Sequence, residues 1–233
     1  ISRLLSDPLG VLIVSRSGAG KTTLQESICS FVPEESLESY TRITGQTLFY
    51  GEEESLKHKV LAIEEEDGME KAIYAIRTLQ SSQRLKVGTV RHDPKSGKLK
   101  AEEHEVKGPV AIFISTTNPE ALDFETRNRF VVLTIDESDG QTADIFKARQ
   151  EAYTLEGKLR FSNRTGIQKR CRNIQRLLQP LEVVNNYAPM LKYPFDKLQM
   201  RREFKKYMTL IDSIALLHQH QREVKYYHVG SGP

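Results

Sequence analysis

A glycine-rich loop near the start of the chain carries the residues best suited to chemistry. Residues 15–23 read Ser-Arg-Ser-Gly-Ala-Gly-Lys-Thr-Thr and follow the apolar run of residues 11–14. Glycines let the backbone curl so that successive N–H groups point at phosphate oxygens, and a helix that starts here adds its positive end. The pattern is typical of a phosphate-binding loop between a strand and a helix. We predict nucleotide contacts from these residues: Ser17, Gly18, Ala19, Gly20, Lys21, Thr22 and Thr23.

Two side chains of the loop have separate expected roles. Lys21 would reach the β- and γ-phosphates of ATP, and the Thr22 hydroxyl would hold a Mg²⁺ ion. Ser15 stands where the first glycine of such loops normally is. Serine fits a strand end, so we treat this as a minor variant. The alternative interpretation is a simple turn between a strand and a helix.

A pair of acids supplies the groups that hydrolysis needs beyond the loop. The apolar run of residues 60–63 ends in Glu64 and Glu65. Adjacent residues of a strand point to opposite faces, so Glu64 can serve the metal ion while Glu65 activates the attacking water. Glu66 and Asp67 extend the run, and a solvated acidic turn is therefore the alternative.

Two further polar residues follow apolar strands or precede them. Asn118 comes after the run of residues 110–115, and a polar group at the end of a strand beside the loop strand can orient water next to the γ-phosphate. Arg129 directly precedes the run of residues 130–135 and can project across a subunit interface onto a neighbour's γ-phosphate. An Asn-Pro turn and an ordinary surface ion pair are the respective alternatives.

The pattern of elements predicts how these residues are held. Strands that alternate with helices indicate a mostly parallel α/β sheet covered on both faces. A helix should follow Gly68, since residues 69, 72, 73, 76 and 79 share one face. Residues 85–90 and 99–106 flank a Pro- and Gly-containing turn and predict a β-hairpin.

The strand pattern stops near residue 141. We predict helices near 141–159, 163–179 and 200–222, the last with an apolar stripe. The predicted stripe consists of Phe204, Met208, Ile211, Ala215 and His218. We therefore divide the chain into an α/β core (1–140) and a helical lid (141–233), and expect a three-layer P-loop fold.

Composition bounds the class of protein. Charged residues make up 28% and apolar residues 38%, and no apolar run approaches the roughly 18 residues of a membrane span. The two distant cysteines suggest reduced thiols in a cytoplasmic protein. We expect the chain to be a piece of a larger protein, because it starts without a methionine and ends in a linker-like tail.

Charge is distributed unevenly along the chain. Residues 158–225 contain 15 Lys and Arg but only 5 Asp and Glu. A basic carboxyl-terminal part fits a polyanionic partner. A solvated helical surface is the alternative.

The order of these motifs resembles the AAA+ ATPases, and among them the minichromosome-maintenance helicases with related phage and mobile-element proteins. Residues 63–67 are similar to the acidic strand end of that group, and residues 114–119 to its first sensor. Residues 128–130 resemble its Ser-Arg-Phe arginine finger. The resemblance implies an oligomer, most simply a hexameric ring, in which Arg129 acts in trans.

The same resemblance assigns residues outside the loop and the two acids. Arg201 and Arg202 open the last helix and resemble the second sensor arginine, which contacts phosphate in its own subunit or a neighbour. The hairpin lies where that group has a pore hairpin. Lys95 and Lys98 at its tip would then contact DNA phosphates, sequence-independently and salt-sensitively. A charged turn that faces water is the alternative.

The overall likeness is closer to ATPase modules of bacterial and phage proteins that also carry a CHC2 zinc finger and a Toprim primase domain. Residues 40–46, 55–59 and 217–222 carry it. It implies Mg²⁺-dependent ATP hydrolysis that drives translocation on DNA or its unwinding during replication. The spacing leaves no room for the second DNA-binding hairpin of the eukaryotic and archaeal helicases. A nucleotide-gated protein-interaction module, such as a loader, remodeller or serine-kinase-like regulator, is the rival, and a domain that binds ATP without hydrolysis is another.

Overall fold

The structure, a computed structural model, describes residues 1–64, 70–92, 99–118, 120 and 122–223. The strands are β1 (Gly10–Val14), β2 (Leu37–Tyr40), β3 (Lys59–Glu64), β4 (Arg84–His92), β5 (Leu99–Lys107), β6 (Val110–Thr116) and β7 (Phe130–Thr134). The helices are α1 (Lys21–Cys29), α2 (Gly45–Phe49), α3 (Glu70–Ser82), α4 (Phe124–Arg127), α5 (Asp139–Ala152), α6 (Leu155–Leu177) and α7 (Met200–Leu217). Among the described helices, none is both long and apolar enough to cross a lipid bilayer.

The predicted parallel sheet is confirmed. Five strands pair in the order β2-β3-β6-β1-β7, and every pairing is parallel. All five strands therefore end at the same edge of the sheet. β6 lies between β1 and β3, so the loop strand and the acidic strand are second neighbours. β4 and β5 pair antiparallel in a separate sheet, and the residues that join them, 93–98, lie outside the described part.

The main core lies between the sheet and α3. The predicted apolar face of this helix is confirmed, since Ala72, Ile76 and Leu79 are fully buried. They pack with sheet residues that include Leu61 and Ile112. The middle strands are buried along almost their whole length, as expected for a parallel sheet with two covered faces. β7, at the edge of the sheet, is largely exposed after its first residue.

α6 attaches to the α/β part through polar contacts. Gln168 Nε2 donates to Ser30 Oγ over 2.8 Å, and Gln175 Nε2 donates to the Phe31 carbonyl over 2.8 Å. Ion pairs of 2.7 Å join Arg172 to Glu34 and Arg176 to Glu35. The polar side of the helix thus faces the protein.

The apolar side of α6 faces away from these contacts. At 100° per residue five of its large apolar residues fall opposite the polar contacts, and each of the five is more than half exposed, whereas Phe161 lies on the side of the contacts. The five residues are Leu155, Leu159, Ile167, Ile174 and Leu177. A helix that packs on a core turns its apolar side inward, whereas α6 turns its polar side toward the protein and most of its apolar residues outward.

α7 buries a different side from its predicted apolar stripe. Its most deeply buried residues are Thr209, Ser213 and Leu216, and the predicted stripe is half-buried or, at Phe204, exposed. Leu216 packs with Leu4 of the first helical turn, so the amino-terminal segment selects the buried face. Sequence periodicity identifies the apolar side of a helix, but the neighbouring elements decide which side is buried.

Ser15 joins the exits of two strands. Its Oγ accepts the N–H of Ile135, just after β7, over 2.9 Å, and the residue is buried. Glycine at this position would have no acceptor to offer. The departure from the usual loop pattern thus has a structural role, because it satisfies a backbone donor beside the edge strand.

We expect Ser15→Ala to lower the free energy of unfolding by about 1–2 kcal/mol, because it leaves the Ile135 N–H without its partner. Urea unfolding followed by circular dichroism measures this change. The control is Ser17→Ala, two residues on and exposed. Equal stability of the two variants would contradict a structural role for the Ser15 hydroxyl.

Candidate nucleotide site

The loop between β1 and α1 has the backbone of an anion-binding turn. Gly18 and Gly20 adopt φ of 81° and 97°, which glycine reaches readily and other residues reach at a cost. A Cβ on either glycine would meet no atom within 4 Å, so backbone conformation rather than space requires glycine here. Residues 16–18 and 20 are exposed. The loop is open to a ligand.

Lys21 is held across the loop. This first residue of α1 is 8% exposed, and its Nζ donates to the Arg16 carbonyl over 2.8 Å. The Arg16 N–H in turn donates to Glu137 Oε1 over 2.9 Å, and Arg16 Nε lies 3.3 Å from Glu137 Oε2. The ammonium is therefore kept inside the loop, and the loop is anchored to the segment that follows β7.

The start of α1 is free of a capping side chain. Its N-cap is Gly20, which offers none, and Thr22 and Thr23 in the first turn are exposed. The first N–H groups of a helix have no partner within the helix, and they carry the positive end of its dipole. The loop therefore meets a helix end suited to binding phosphate.

Glu64 lies at the same edge of the sheet as the loop. It is level with Ser115 on β6, and Thr116, the next residue, is level with Val14 at the end of β1. Burial, and next the nearby charge of Glu26, raise the pKa of the Glu64 carboxyl. Within the described part of the chain no cation pairs with Glu64. A carboxylate crowded by another acid, together with the Thr22 hydroxyl, offers the oxygen ligands that Mg²⁺ prefers.

Asn118 follows β6, the strand that pairs with β1, as predicted. Its N–H donates to Thr116 Oγ1 over 3.1 Å, and its Oδ1 accepts the Glu120 N–H over 3.0 Å. The first bond holds the Asn118 backbone and the second holds its side chain at the strand exit. Its Nδ2 has no protein partner among the described residues and can donate to a ligand.

Arg129 lies at the opposite edge of the sheet. It directly precedes β7, whose first residue, Phe130, is level with Gly10 at the start of β1. The loop begins after Val14, and a strand of this length spans about 15 Å. Arg129 therefore cannot reach the phosphate-binding loop of its own chain.

Arg129 belongs to an arginine cluster, which we define as Arg77, Arg129 and Arg202 around Glu125. Arg129 Nη2 lies 2.6 Å from Glu125 Oε1, and its Nη1 donates to Ser81 Oγ. Arg202 Nη2 lies 3.8 Å from the same Oε1, and Arg77 Nη1 lies 3.6 Å from Oε2. α3, α7 and the turn after α4 thus each bring one arginine to the carboxylate that α4 carries.

The helix that carries Glu125 is held by a capping residue. Asp123 Oδ1 accepts the Thr126 N–H over 2.7 Å, and this hydrogen bond holds the pKa of Asp123 below its usual value. Glu125 and Arg129 are four residues apart, a spacing at which side chains on a helical turn meet. That spacing was the sequence clue to the Glu125 contact. The contributions of Arg77 and α7 depend on tertiary packing and could not be predicted.

The structure separates the two candidate sensor arginines. Arg202 lines a cleft of about 170 Å³ together with Arg129, Lys205 and Lys206. Arg201 lies on another side of α7, beside Tyr193 and Phe204. The two arginines of the predicted pair therefore lie at different places, and only Arg202 lines the same cleft as Arg129.

Three predicted site residues, Glu65, Lys95 and Lys98, lie outside the described residues. Their roles remain predictions. On the described strands of the hairpin, Lys86 pairs with Glu103 at 2.7 Å, and Arg84 pairs with Glu105. These cations are already neutralised.

A protein-family model matches the chain, whereas no curated protein does. A family model described as the MTBMA_p00010 P-loop domain matches residues 1–179, which include the whole sheet, the loop and α6. This range is more than half of the chain. The chain therefore belongs to the MTBMA_p00010 P-loop domain family.

Proposed function

We propose that the chain is a Mg²⁺-dependent ATPase of the AAA+ class. The observation that carries this proposal is the common edge at which the phosphate-binding loop, Glu64 and Asn118 meet. A loop alone binds phosphate. The additional carboxylate and amide at the same edge are the groups that hydrolysis of the γ-phosphate requires.

The residues divide the work as follows. Lys21 and the loop amides bind the phosphates, and Thr22 and Glu64 would hold Mg²⁺, which when bound would offset the negative charge of the phosphates. Glu65 accepts a proton from water as the water attacks the γ-phosphorus and ADP leaves. Asn118 orients that water through Nδ2.

The proposal includes catalysis between subunits. Arg129, with Arg202 beside it, lies about one strand length (about 15 Å) from the sheet edge that carries the loop, and both can meet the loop of a second copy that docks head to tail. Repetition of such a contact closes into a ring when the rotation allows it, and we propose a homo-oligomer such as a hexamer. The exposed apolar side of α6 supports association.

We further propose that hydrolysis drives translocation on DNA as part of a replication protein related to primase-helicases. The resemblance of the motif order supports this step, as does the position of the β4–β5 hairpin between the acidic strand and β6. Lys95 and Lys98 in the turn would contact DNA phosphates. Since Arg84 and Lys86 are paired with acids, the DNA contact depends on the turn.

A nucleotide-gated protein-interaction module is the second candidate. The paired cations of the hairpin and the exposed apolar residues of α6 favour it, because they suit a protein surface better than a polyanion. Both candidates share the nucleotide site and differ in what the hairpin contacts.

Nucleotide chemistry can be tested with three variants. Lys21→Ala should lose ATP binding, because the phosphates lose their cation. Glu65→Gln should bind ATP but lose turnover, because no base remains to accept the proton. Calorimetry measures binding and phosphate release measures turnover. Glu66→Gln is the matched control and should keep turnover; normal turnover in Glu65→Gln would contradict the assigned base.

Action in trans predicts a characteristic mixing curve. When wild-type chains are mixed with Arg129→Ala chains, ATPase activity should fall more steeply than the wild-type fraction, because each variant subunit disables its neighbour's site. Arg127→Ala, two residues earlier at the end of α4, is the control and should leave activity largely intact. A proportional loss on mixing would argue against catalysis between subunits.

DNA engagement is tested by ATPase activity with and without single-stranded DNA at two salt concentrations. We expect stimulation that weakens at the higher salt concentration and is lost in Lys95→Ala/Lys98→Ala, because phosphate contacts release counterions. Lys86→Ala, whose lysine is already paired, is the control and should retain stimulation. Unchanged stimulation in the double variant would favour the protein-interaction module.

A further inference from the structure

The three arginines of the cluster all have ion-pair partners within their own chain. Glu125 is about half exposed, whereas the Arg129 side chain is 20% exposed and donates to both Glu125 and Ser81. Arg202 approaches the same carboxylate oxygen as Arg129. An arginine that acts on a neighbour's phosphate must first exchange this partner.

Glu125 presents its oxygens as a phosphate does. Guanidinium groups bind carboxylates and phosphates through the same charged hydrogen bonds. Among the described residues, Glu125 is the carboxylate that three arginines share, while Lys205 pairs with Asp7 and Lys206 with Glu203. A phosphate that bound Arg129 and Arg202 at the same time would therefore have to take the place of the Glu125 carboxylate.

We propose that Glu125 is a latch that substitutes for phosphate in the free subunit. It holds Arg129 and Arg202 until the triphosphate bound to a second copy displaces it. This inference rests on the proposed catalysis between subunits. No covalent step is involved, because one anion replaces another on the same donors.

The latch makes a direct prediction about anion binding. In a Lys21→Ala background, which removes the loop cation, Glu125→Gln should bind tripolyphosphate about fivefold more tightly, because the competing carboxylate charge is gone. Arg202→Ala in addition should abolish this gain. Calorimetry measures the affinity, and thermal unfolding confirms that each variant is folded.

The chain offers a closely matched control. Glu156 and Arg160 form an i,i+4 pair at 2.7 Å with the same atoms as Glu125 and Arg129 at 2.6 Å. Glu156→Gln should leave tripolyphosphate affinity unchanged. Equal affinity in the two Gln variants, or a gain that survives Arg202→Ala, would overturn the latch.

A second measurement separates a latch from a simple brace. With Lys21 intact, Glu125→Gln should reach half-maximal ATPase activity at about fivefold lower protein concentration, with kcat at saturating protein within about twofold of wild type. A lower kcat, with no change in the protein concentration that gives half-maximal activity, would show that Glu125 only holds Arg129 in position, and it would overturn the proposal. The tripolyphosphate result stands even if the chain hydrolyses no ATP, so failure of the latch and of the proposed ATPase are distinguishable.

Discussion

The parallel pairing of β1 with β6 and β7 is the constraint from which the rest of the site follows. It places the exits of β1, β3 and β6 at one edge, where the loop, Glu64 and Asn118 gather. It places the start of β7, and with it Arg129, at the other edge. A side chain cannot span the length of a strand, so the geometry of the sheet keeps Arg129 away from the phosphate-binding loop of its own chain.

Sequence reasoning succeeded where the determinants are local. The loop, the order of strands and helices and the buried face of α3 follow from glycine positions and periodicity, and the structure bears out those elements. The apolar stripe of α7 did not identify its buried side, because contact with Leu4 selects Thr209, Ser213 and Leu216 over the more apolar side. The different surroundings of Arg201 and Arg202 could not be predicted either, since they depend on how α7 is rotated against the sheet.

The excess of positive charge in the carboxyl-terminal part has a partly internal explanation. Arg172 and Arg176 bind Glu34 and Glu35, and Lys205 binds Asp7, so basic helices attach to an acidic α/β part through ion pairs. Exposed ion pairs each contribute little, typically below about 1 kcal/mol. Such contacts fix where α6 lies along the α/β part but bind it only weakly. A bulk charge count could not separate this use of charge from a surface prepared for a polyanion.

The tethers at Ser15 and Arg16 have a mechanical consequence. Both connect the loop to residues 135–137, which lead directly into α5. Every residue of α5 is exposed, and its main neighbour is the start of α6, where Gly157 allows close approach to the Glu151 carbonyl. The loop and α5 are therefore neighbours through residues 135–137, and a displacement of the loop backbone would be felt first by a helix that has few other contacts with the described protein.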